Sequence, residues 1–322
     1  MHIHDLLSAS PGAALSLEFF PPRTPTAEAT LHATLAALAP LRPAFASVTY
    51  GAGGGTRVLT EDLVARLGGR ADPTTTVQPG WNAIPHLTCV GHTEAEIMAL
   101  LTRYAAAGVG NVLALRGDLP PGQAGGTAGG DFAHAADLVR FIRRFNERGL
   151  HPHPRGFGIG VACFPEGHPA TPNRLLEMDY LKAKVDAGAD YLCTQAFFDN
   201  HDFHDFRDRC ALAGIRVPVL AGLLPLTSPA LMTRMAELAG GARYPARLLR
   251  TLRRTGALDG VAGGAGHDPA GGAAEAFRRV ALHHAAEQCA DLLDHDVAGV
   301  HFYTLNQSRP VLEVLQRIGW QR

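Results

Sequence analysis

The sequence predicts a single closed (β/α)8 barrel over residues 1–322, with its core at about 15–320. Three observations favour this fold class. Eight short apolar runs alternate with longer stretches of helical periodicity. The length of 322 residues suits one barrel. No GxGxxG follows the first run, and polar residues punctuate all eight runs, which disfavours the alternative of an open doubly wound sheet.

The apolar runs mark the expected strands. Strands are predicted at Leu15–Phe20, Phe45–Tyr50, Ala83–Thr88, Asn111–Leu115, Gly158–Phe164, Tyr191–Gln195, Val217–Gly222 and Val300–Leu305. Helices are predicted at roughly 27–39, 56–67, 94–107, 132–148, 174–187, 200–213, 230–239 and 308–318. An additional helix is expected at about 274–295. Glycine-rich segments near 122–130 and 260–272 are predicted to be surface loops.

Helix starts carry their own chemical signals. Thr24-Pro25, Thr171-Pro172 and Ser228-Pro229 each place a capping hydroxyl before a proline suited to the first helical position. The segment 93–96 reads as a capping box. These four signals predict where four of the helices begin.

Composition excludes several classes of function. Hydrophobic residues make up 46% of the chain, so a large core is expected, and a net charge of -1 without a basic stripe disfavours nucleic-acid binding. No apolar run is long enough to span a membrane. The N-terminus lacks signal-peptide features, and five cysteines without a CxxC are expected as reduced thiols. These observations favour a cytoplasmic protein without membrane partners.

Ligands of a (β/α)8 barrel bind where the C-terminal ends of the strands meet. Seven of the eight predicted strands deliver hydrogen-bonding or ionisable groups to that rim, so we expect the site there. The groups are Glu18, Thr49, Tyr50, His86, Arg116, Asp118, Glu166, His168, Thr194, Gln195, His301, Tyr303 and Asn306.

Glu18 is the most informative of these residues. A carboxylate inside an apolar strand is costly to bury, and burial is expected to raise its pKa toward that of a general acid. The alternative is a structural glutamate paired with Arg23 or Arg116. Strand context alone leaves both open.

Two glycine-containing loops are ambiguous. Arg116-Gly117-Asp118 is either an ordinary turn or a place where the backbone approaches a ligand beside a carboxylate. The segment 51–56 resembles a phosphate-binding loop but lacks the lysine of a P-loop, so a plain connecting loop is the alternative.

No metal site is expected. Histidines at 2/4, 151/153 and 283/284 lack convergent carboxylate or cysteine partners, so they are interpreted as solvated side chains.

Ordered blocks along the chain resemble the bacterial, FAD-dependent methylenetetrahydrofolate reductase family. The blocks are SLEFFPPR at 16–23, VTYGA at 48–52, PHLTC at 85–89, LRGDLPPG at 115–122, FPEGHP at 164–169, LKAKVDAGA at 181–189, TQAFFD at 194–199 and HFYTLN at 301–306. They run over roughly 15–306, and their common order makes the resemblance specific. The family folds as a (β/α)8 barrel that binds FAD without a Rossmann fingerprint.

The resemblance implies roles for individual residues. Glu18 resembles the general acid, and Asp118 resembles a carboxylate near the flavin and the folate. Gln195 is implied to contact folate and nicotinamide, Thr49 the nicotinamide, and Tyr303 the folate. The implied FAD contacts are Tyr50, Ala52, His86, Arg116, Gly117, Asp118, Ala135, His168 and Lys184.

Some positions depart from the family pattern. Gln307 replaces an arginine expected at the folate tail. The changes on the FAD side are Phe164 and His134 for tyrosines, Glu177 for an aspartate, and Tyr180 and Ala183 for polar contacts. Ser228-Pro229 stands where the family offers an aromatic platform for the nicotinamide, so Phe197 or Phe198 is the expected replacement.

The implied reaction is a ping-pong reduction of 5,10-methylenetetrahydrofolate. NADH or NADPH reduces FAD and leaves, the folate binds, and Glu18 protonates it before hydride transfer gives 5-methyltetrahydrofolate for methionine biosynthesis. The resemblance also implies a homo-oligomer. One alternative is another FAD barrel of the proline dehydrogenase kind, which needs no counterpart of Glu18, Asp118 and Gln195. The other is a catalytically silent folate-binding barrel.

Overall fold

In the computed structural model the described residues are 1–9, 12–50, 57–68, 81–118, 130–238, 242–258 and 272–320. Eight parallel strands close into a barrel in chain order, with β1 paired to β8. The strands are β1 Ala14–Phe19, β2 Phe45–Val48, β3 Ala83–Thr88, β4 Asn111–Leu115, β5 Gly158–Cys163, β6 Tyr191–Thr194, β7 Val219–Leu223 and β8 Gly299–Tyr303. The barrel fold is therefore confirmed, and the open doubly wound sheet is excluded.

Helices surround the barrel and connect its strands. They are α1 Ile3–Ala9, α2 Pro25–Leu38, α3 Arg57–Leu67, α4 Glu94–Ala106, α5 Ala135–Glu147, α6 Arg174–Asp186, α7 Asn200–Leu212, α8 Pro229–Leu238, α9 Ala246–Arg254, α10 Gly272–Asp294 and α11 Ser308–Arg317. None of these helices is long and apolar enough to cross a bilayer. The predicted extent of one domain over 1–322 stays a prediction.

Alternation along the strands separates an apolar outer layer from the barrel interior. In β1, Leu15, Leu17 and Phe19 belong to the main core beneath the helices, whereas Ser16 and Glu18 lie on the opposite face. This is the period-two geometry of a strand. The polar residues Ser16 and Glu18 of β1 therefore face the axis of the barrel.

The first helix closes the N-terminal end of the barrel. Ile3 is fully buried in a cluster with interior residues of several strands. Its N–H donates to Oδ1 of Asn111 over 2.9 Å, and Nδ2 of Asn111 donates to the carbonyl of Met1 over 2.9 Å. The amide side chain thus fixes α1 under β4, and ligands have to enter from the opposite end, called the mouth below.

The structure corrects one predicted helix start and adds two helices. Thr24, Thr93 and Ser228 each accept a capping hydrogen bond as expected. Thr171 does not begin a helix, because the N-cap of α6 is Asn173, whose Oδ1 accepts from two backbone N–H groups. The sequence analysis did not predict α1 or α9.

The histidine pairs are not uniformly solvated, contrary to expectation. His2 and His151 are buried and contact the carbonyls of Gly156 and Val109. The described residues that bring metal-ligand atoms together are instead His204, Asp291 and His295, on the outside of the barrel. Asp291 accepts from Asn200 and lies 3.1 Å from Nε2 of His204.

All five cysteines are free and buried. Burial raises the pKa of Cys89, Cys210 and Cys289 to about 12. Their thiolates are therefore scarce near neutral pH, which disfavours a nucleophilic role.

Candidate active site

The centre of the mouth holds a buried carboxylate between two histidines. Oε2 of Glu18 lies 3.2 Å from Nε2 of His86 and 3.7 Å from Nε2 of His301. The hydroxyl of Ser47 donates to the same oxygen over 3.5 Å. The backbone carbonyl of Glu18 accepts from Thr304 over 2.6 Å. The side chain is thus fixed by strands β2, β3 and β8, and neither Arg23 nor Arg116 pairs with it.

The electrostatics of Glu18 differ from the expectation. Burial alone would raise its pKa, but the protonated forms of His86 and His301 outweigh this effect and lower the pKa from 4.5 to about 2. The expectation of a raised pKa was therefore wrong, because it counted desolvation and missed two histidines from other strands. Glu18 is therefore ionised near neutral pH in this structure.

The depressed pKa predicts a pH-dependent contribution to stability. Ionised Glu18 should stabilise the fold above about pH 4.5, and this contribution should disappear as the pH falls toward about 2. At about 1.4 kcal/mol per pKa unit, the contribution is on the order of 3 kcal/mol. Urea unfolding should show that wild type exceeds Glu18→Gln in free energy of unfolding, and that this difference becomes smaller as the pH falls below about 5.

A surface carboxylate provides the control for this experiment. Glu94 pairs with Arg144 on the outside of the barrel, where both side chains are more than half exposed. Glu94→Gln should differ little from wild type in free energy of unfolding, and this difference should depend little on pH. If the difference in free energy of unfolding between wild type and Glu18→Gln stayed constant down to about pH 3.5, the pairing of an ionised Glu18 with the two histidines would be contradicted.

Tyr303 and Gln195 flank Glu18 on the side of β6 to β8. The hydroxyl of Tyr303 donates to the carbonyl of Thr194 over 2.7 Å, which holds its ring across β7. A Cβ on Gly222 would lie 2.8 Å from this ring, so β7 needs glycine here. Gln195 directly follows β6 and is half-buried. These two residues occupy the expected rim.

Thr49 and Gln307 lie at other points of the rim. Thr49 follows β2, and its N–H bonds to the carbonyl of Phe19. Gln307 is exposed and precedes α11 as its N-cap. Asn306 is structural instead, since its amide bonds both the N–H and the carbonyl of Phe20.

A second group of residues extends from β4 toward α6. Arg116 follows β4, and its side chain bonds the carbonyl of Gly117 over 3.3 Å. Burial, then the charges of Arg116 and Lys184, lower the pKa of His168, while Asp118 raises it, so these four residues lie close together. Asp118 is exposed at the end of this group.

Gly117 is required by packing as well as by backbone geometry. Its φ is +86°, and an added Cβ would lie 2.8 Å from Cγ1 of Val90 and 3.0 Å from Cβ of Thr88. Arg116-Gly117-Asp118 is therefore a tight turn that no larger residue can form. The geometry explains the glycine without a ligand.

Lys184 and Glu177 both point from α6 toward the loop after β5. Nζ of Lys184 donates to the carbonyl of Ala162 over 2.6 Å, and burial lowers the pKa of this lysine. Burial raises the pKa of Glu177, and its Oε2 is buried without a hydrogen-bond partner among the described residues. Such an unsatisfied acceptor is costly unless a ligand donates to it.

Aromatic rings line the outer edge of this second group. His134 and Tyr180 stack with ring centroids 6.0 Å apart, and Phe164 meets His168 edge-on at 4.6 Å. Ala135 begins α5 directly after His134. Tyr180 is 49% exposed, so its ring is available to a flat ligand.

Other expected contacts are buried or lie outside the described residues. Tyr50 is buried, with its hydroxyl 3.4 Å from Nε2 of His92. Ala52 and the loop at 51–56 lie outside the described residues. Phe197 and Phe198 are fully or almost fully buried against Phe203 and Tyr244, so the suggested nicotinamide stacking finds no exposed ring there.

Ser16 and Ser47 complete the site and were missing from the residues expected at the rim, whereas His301 was expected there without an assigned role. Ser16 pairs in register with His301, and Glu18 with both Ser47 and Tyr303. Alternation could have found them, because Ser16 and Glu18 share one face of β1, as His301 and Tyr303 share one face of β8. The alternation of side chains along each strand does not, however, predict the register between β1 and β8.

Comparisons with known proteins agree on one family. Residues 3–319 match a family model described as methylenetetrahydrofolate reductase. The chain is 34% identical to 5,10-methylenetetrahydrofolate reductase of Escherichia coli (strain K12) over 95% of this chain and 90% of that protein. It is 34% identical to methylenetetrahydrofolate reductase (NADH) 1 of Arabidopsis thaliana, over 95% of this chain and 48% of that protein.

A solved structure gives independent support for the fold. An uncharacterised protein from Clostridium thermocellum that binds two copies of 5-methyl-5,6,7,8-tetrahydrofolic acid superposes with a TM-score of 0.60. The match covers 98% of this chain and 96% of that chain at 12% identity, so it bears on the fold alone.

Proposed function

The chain belongs to the methylenetetrahydrofolate reductase family, and from this premise we propose that it reduces 5,10-methylenetetrahydrofolate to 5-methyltetrahydrofolate. The proposed electron donor is NADH or NADPH, and the proposed cofactor is FAD in a ping-pong sequence. The observation that carries the proposal is Glu18, an acid group buried at the centre of the mouth and held by two histidines.

The residues between β4 and α6 fit an FAD. Arg116 and Lys184 have no carboxylate within ion-pair distance among the described residues, so both cations are available to a diphosphate. Oε2 of Glu177 is a buried acceptor in need of a donor, which a ribose hydroxyl would supply. The His134 and Tyr180 rings offer a flat apolar surface for an adenine. These features support binding of FAD by the residues between β4 and α6. The residues proposed to lie beside the FAD are Gly117, Asp118, Ala135, Phe164 and His168.

FAD, when bound, carries the hydride from the nicotinamide to the folate carbon. Glu18 supplies a proton to the folate nitrogen, so that the five-membered ring opens and leaves a cationic carbon centre. Asp118 stabilises the positive charge that develops there. Gln195 and Tyr303 orient the folate from the side of β6 and β8, and Gln307 lies toward its tail.

A visible spectrum tests this function directly. The purified protein should be yellow with flavin absorbance, should bleach on anaerobic addition of NADH or NADPH, and should recover its colour with 5,10-methylenetetrahydrofolate. Colourless protein that takes up no FAD would support the silent folate-binding barrel instead. Flavin that is bleached by proline, and whose colour the folate does not restore, would support the proline dehydrogenase kind.

Arg116→Ala should weaken FAD retention by about tenfold or more, because the variant loses a charge-assisted contact to the diphosphate. Equilibrium dialysis of flavin against apoprotein measures this effect. Arg144→Ala, which removes a surface ion pair with Glu94, is the matched control and should bind FAD normally. Equal affinity in Arg116→Ala and wild type would remove Arg116 from the FAD site.

The remaining proposals concern cellular context. We propose a cytoplasmic enzyme that supplies methyl groups for methionine biosynthesis and assembles as a homo-oligomer. Size-exclusion chromatography with light scattering tests the assembly.

A further inference from the structure

Helix α7 and the C-terminal end of α10 bring two histidines and an aspartate together on the outside of the barrel. Nε2 of His204 lies 3.1 Å from Oδ2 of Asp291, and Nδ1 of His295 lies 3.5 Å from Oδ1 of the same carboxylate. The two imidazole rings meet with centroids 4.5 Å apart. One ligand atom from each of the three residues lies within 4.8 Å of the other two. The proposed reaction uses none of these side chains.

The separations within this cluster fit a zinc ion. Zinc in proteins binds imidazole nitrogens and carboxylate oxygens at about 2.0 to 2.2 Å in a tetrahedron, which places neighbouring ligand atoms about 3.3 Å apart. The two nitrogen–oxygen distances of 3.1 and 3.5 Å lie on either side of this value. Two histidines and one carboxylate are also a ligand set that zinc proteins use. Small rotations of the side chains are therefore enough to place an ion between them.

The carboxylate of Asp291 is already in the form that a metal ion binds. Burial would raise its pKa, but hydrogen bonds from Asn200 and His204 outweigh burial and lower the pKa. Metal ions bind carboxylates in the ionised form, and a group that is still protonated must first lose its proton. Asp291 therefore has no proton to release near neutral pH when zinc binds.

Asn200 supports the carboxylate and leaves one of its own atoms without a partner. Its Nδ2 donates to Oδ2 of Asp291 over 2.7 Å and to the carbonyl of Gln288 over 2.9 Å, which fixes the amide beside the cluster. Oδ1 of Asn200 is buried and has no hydrogen-bond partner among the described residues. A tetrahedral ion with three protein ligands keeps one position for water. Such a water would donate the hydrogen that Oδ1 lacks.

The fold holds the three ligands at fixed positions. His204 lies within α7, and Asp291 lies in the last turn of α10, four residues before His295. This spacing puts Asp291 and His295 on one face of the helix end. Nη1 of Arg207 on α7 donates to the carbonyl of His295 over 2.7 Å, which ties the two helices together at this point. The side chains of Asp291 and His295 are 44% and 52% exposed, so an ion reaches them from solvent.

We propose that His204, Asp291 and His295 form a zinc site that cross-links α7 to the end of α10. Water completes the coordination and donates to Asn200. The role is structural, because α7 directly follows the loop that contains Gln195 and α10 bonds the same loop through Gln288, whose Nε2 donates to the carbonyl of Phe197. The inference does not depend on the proposed function.

Zinc binding to the purified, tag-free protein is the main test. After dialysis against a chelator, competition with a chromophoric zinc indicator at pH 7.5 should show a zinc site in wild type. His295→Gln and Asp291→Asn should each weaken that site by about tenfold to a hundredfold or more. Zinc at about 100 times its dissociation constant should raise the Tm of wild type by about 3 to 5 °C, and it should raise that of His295→Gln much less.

His283→Gln is the matched control. His283 is also an exposed histidine of α10 that faces a carboxylate four residues away, since its Nε2 lies 3.5 Å from Oε1 of Glu287. No third ligand joins this pair among the described residues. The variant should bind zinc as wild type does. Wild type that binds no zinc, or affinity that is unchanged in both His295→Gln and Asp291→Asn, would overturn the site. Equal losses in His283→Gln and His295→Gln would overturn it too, because the ion would then lie elsewhere.

Cobalt in place of zinc reports the geometry of the site. Co²⁺ should give the visible absorption of a tetrahedral ion at wavelengths beyond the flavin bands, and Asp291→Asn should abolish it. Only the weak absorption of six-coordinate cobalt throughout the titration would overturn the tetrahedral site. None of these measurements needs turnover, so they remain decisive even if the protein reduces no folate.

Discussion

Glu18→Gln should slow folate reduction by about a hundredfold or more while flavin reduction by NADH stays close to wild type. The amide keeps the size of the side chain but has no proton to give. The transfer of hydride from nicotinamide to flavin requires no protonation of folate, so only one half-reaction should suffer. Rapid-mixing absorbance measurements of each half-reaction would resolve the two rates.

A purely structural Glu18 makes the opposite prediction. The variant would then lose stability, and both half-reactions would decline together. Glu313→Gln offers a comparison, because Glu313 pairs with Arg278 and Arg309 away from the mouth. That variant should keep both half-reactions, and parallel losses in Glu18→Gln alone would refute the role of proton donor.

Ile3→Ala should lower the free energy of unfolding by about 2 to 5 kcal/mol, as removal of a fully buried aliphatic side chain does in other cores. The cavity would open at the closed end of the barrel, far from Glu18, so the activity of the folded protein should be retained. Chemical denaturation measures the loss, and Leu212→Ala serves as the control because Leu212 is 89% exposed. A loss below about 0.5 kcal/mol would mean that α1 does not seal the barrel.

The sequence was sufficient for most of the barrel, for identifiable reasons. Two strands, Ala83–Thr88 and Asn111–Leu115, match their predicted limits, and the others differ at one or both ends. Helix α9 carries four arginines among its nine residues and has no capping hydroxyl, so its periodicity was hard to recognise. Helix α1 has seven residues, too few for a periodic pattern to stand out.

The site was predictable as a set of residues and not as a set of contacts. Glu18, Tyr303 and Arg116 were placed at the mouth because strand ends meet there. The partners of Glu18 could not be assigned, since pairing with His86 and His301 depends on strand stagger. The two histidines lower the pKa of Glu18, whereas the sequence argument considered burial alone and predicted a raised pKa.

Because α1 closes the N-terminal end of the barrel, its packing has to wait until the strands that it contacts have been synthesised. Ile3 leaves the ribosome before any strand of the barrel, yet its cluster includes Leu113 of β4 and Leu220 of β7, which emerge much later. Until then the apolar face of α1 has no complete binding surface, and its amide contact to Asn111 spans 108 residues. Contacts this distant form slowly and leave apolar segments exposed during synthesis. Chaperone dependence of the nascent chain should therefore end only after β7 has been made.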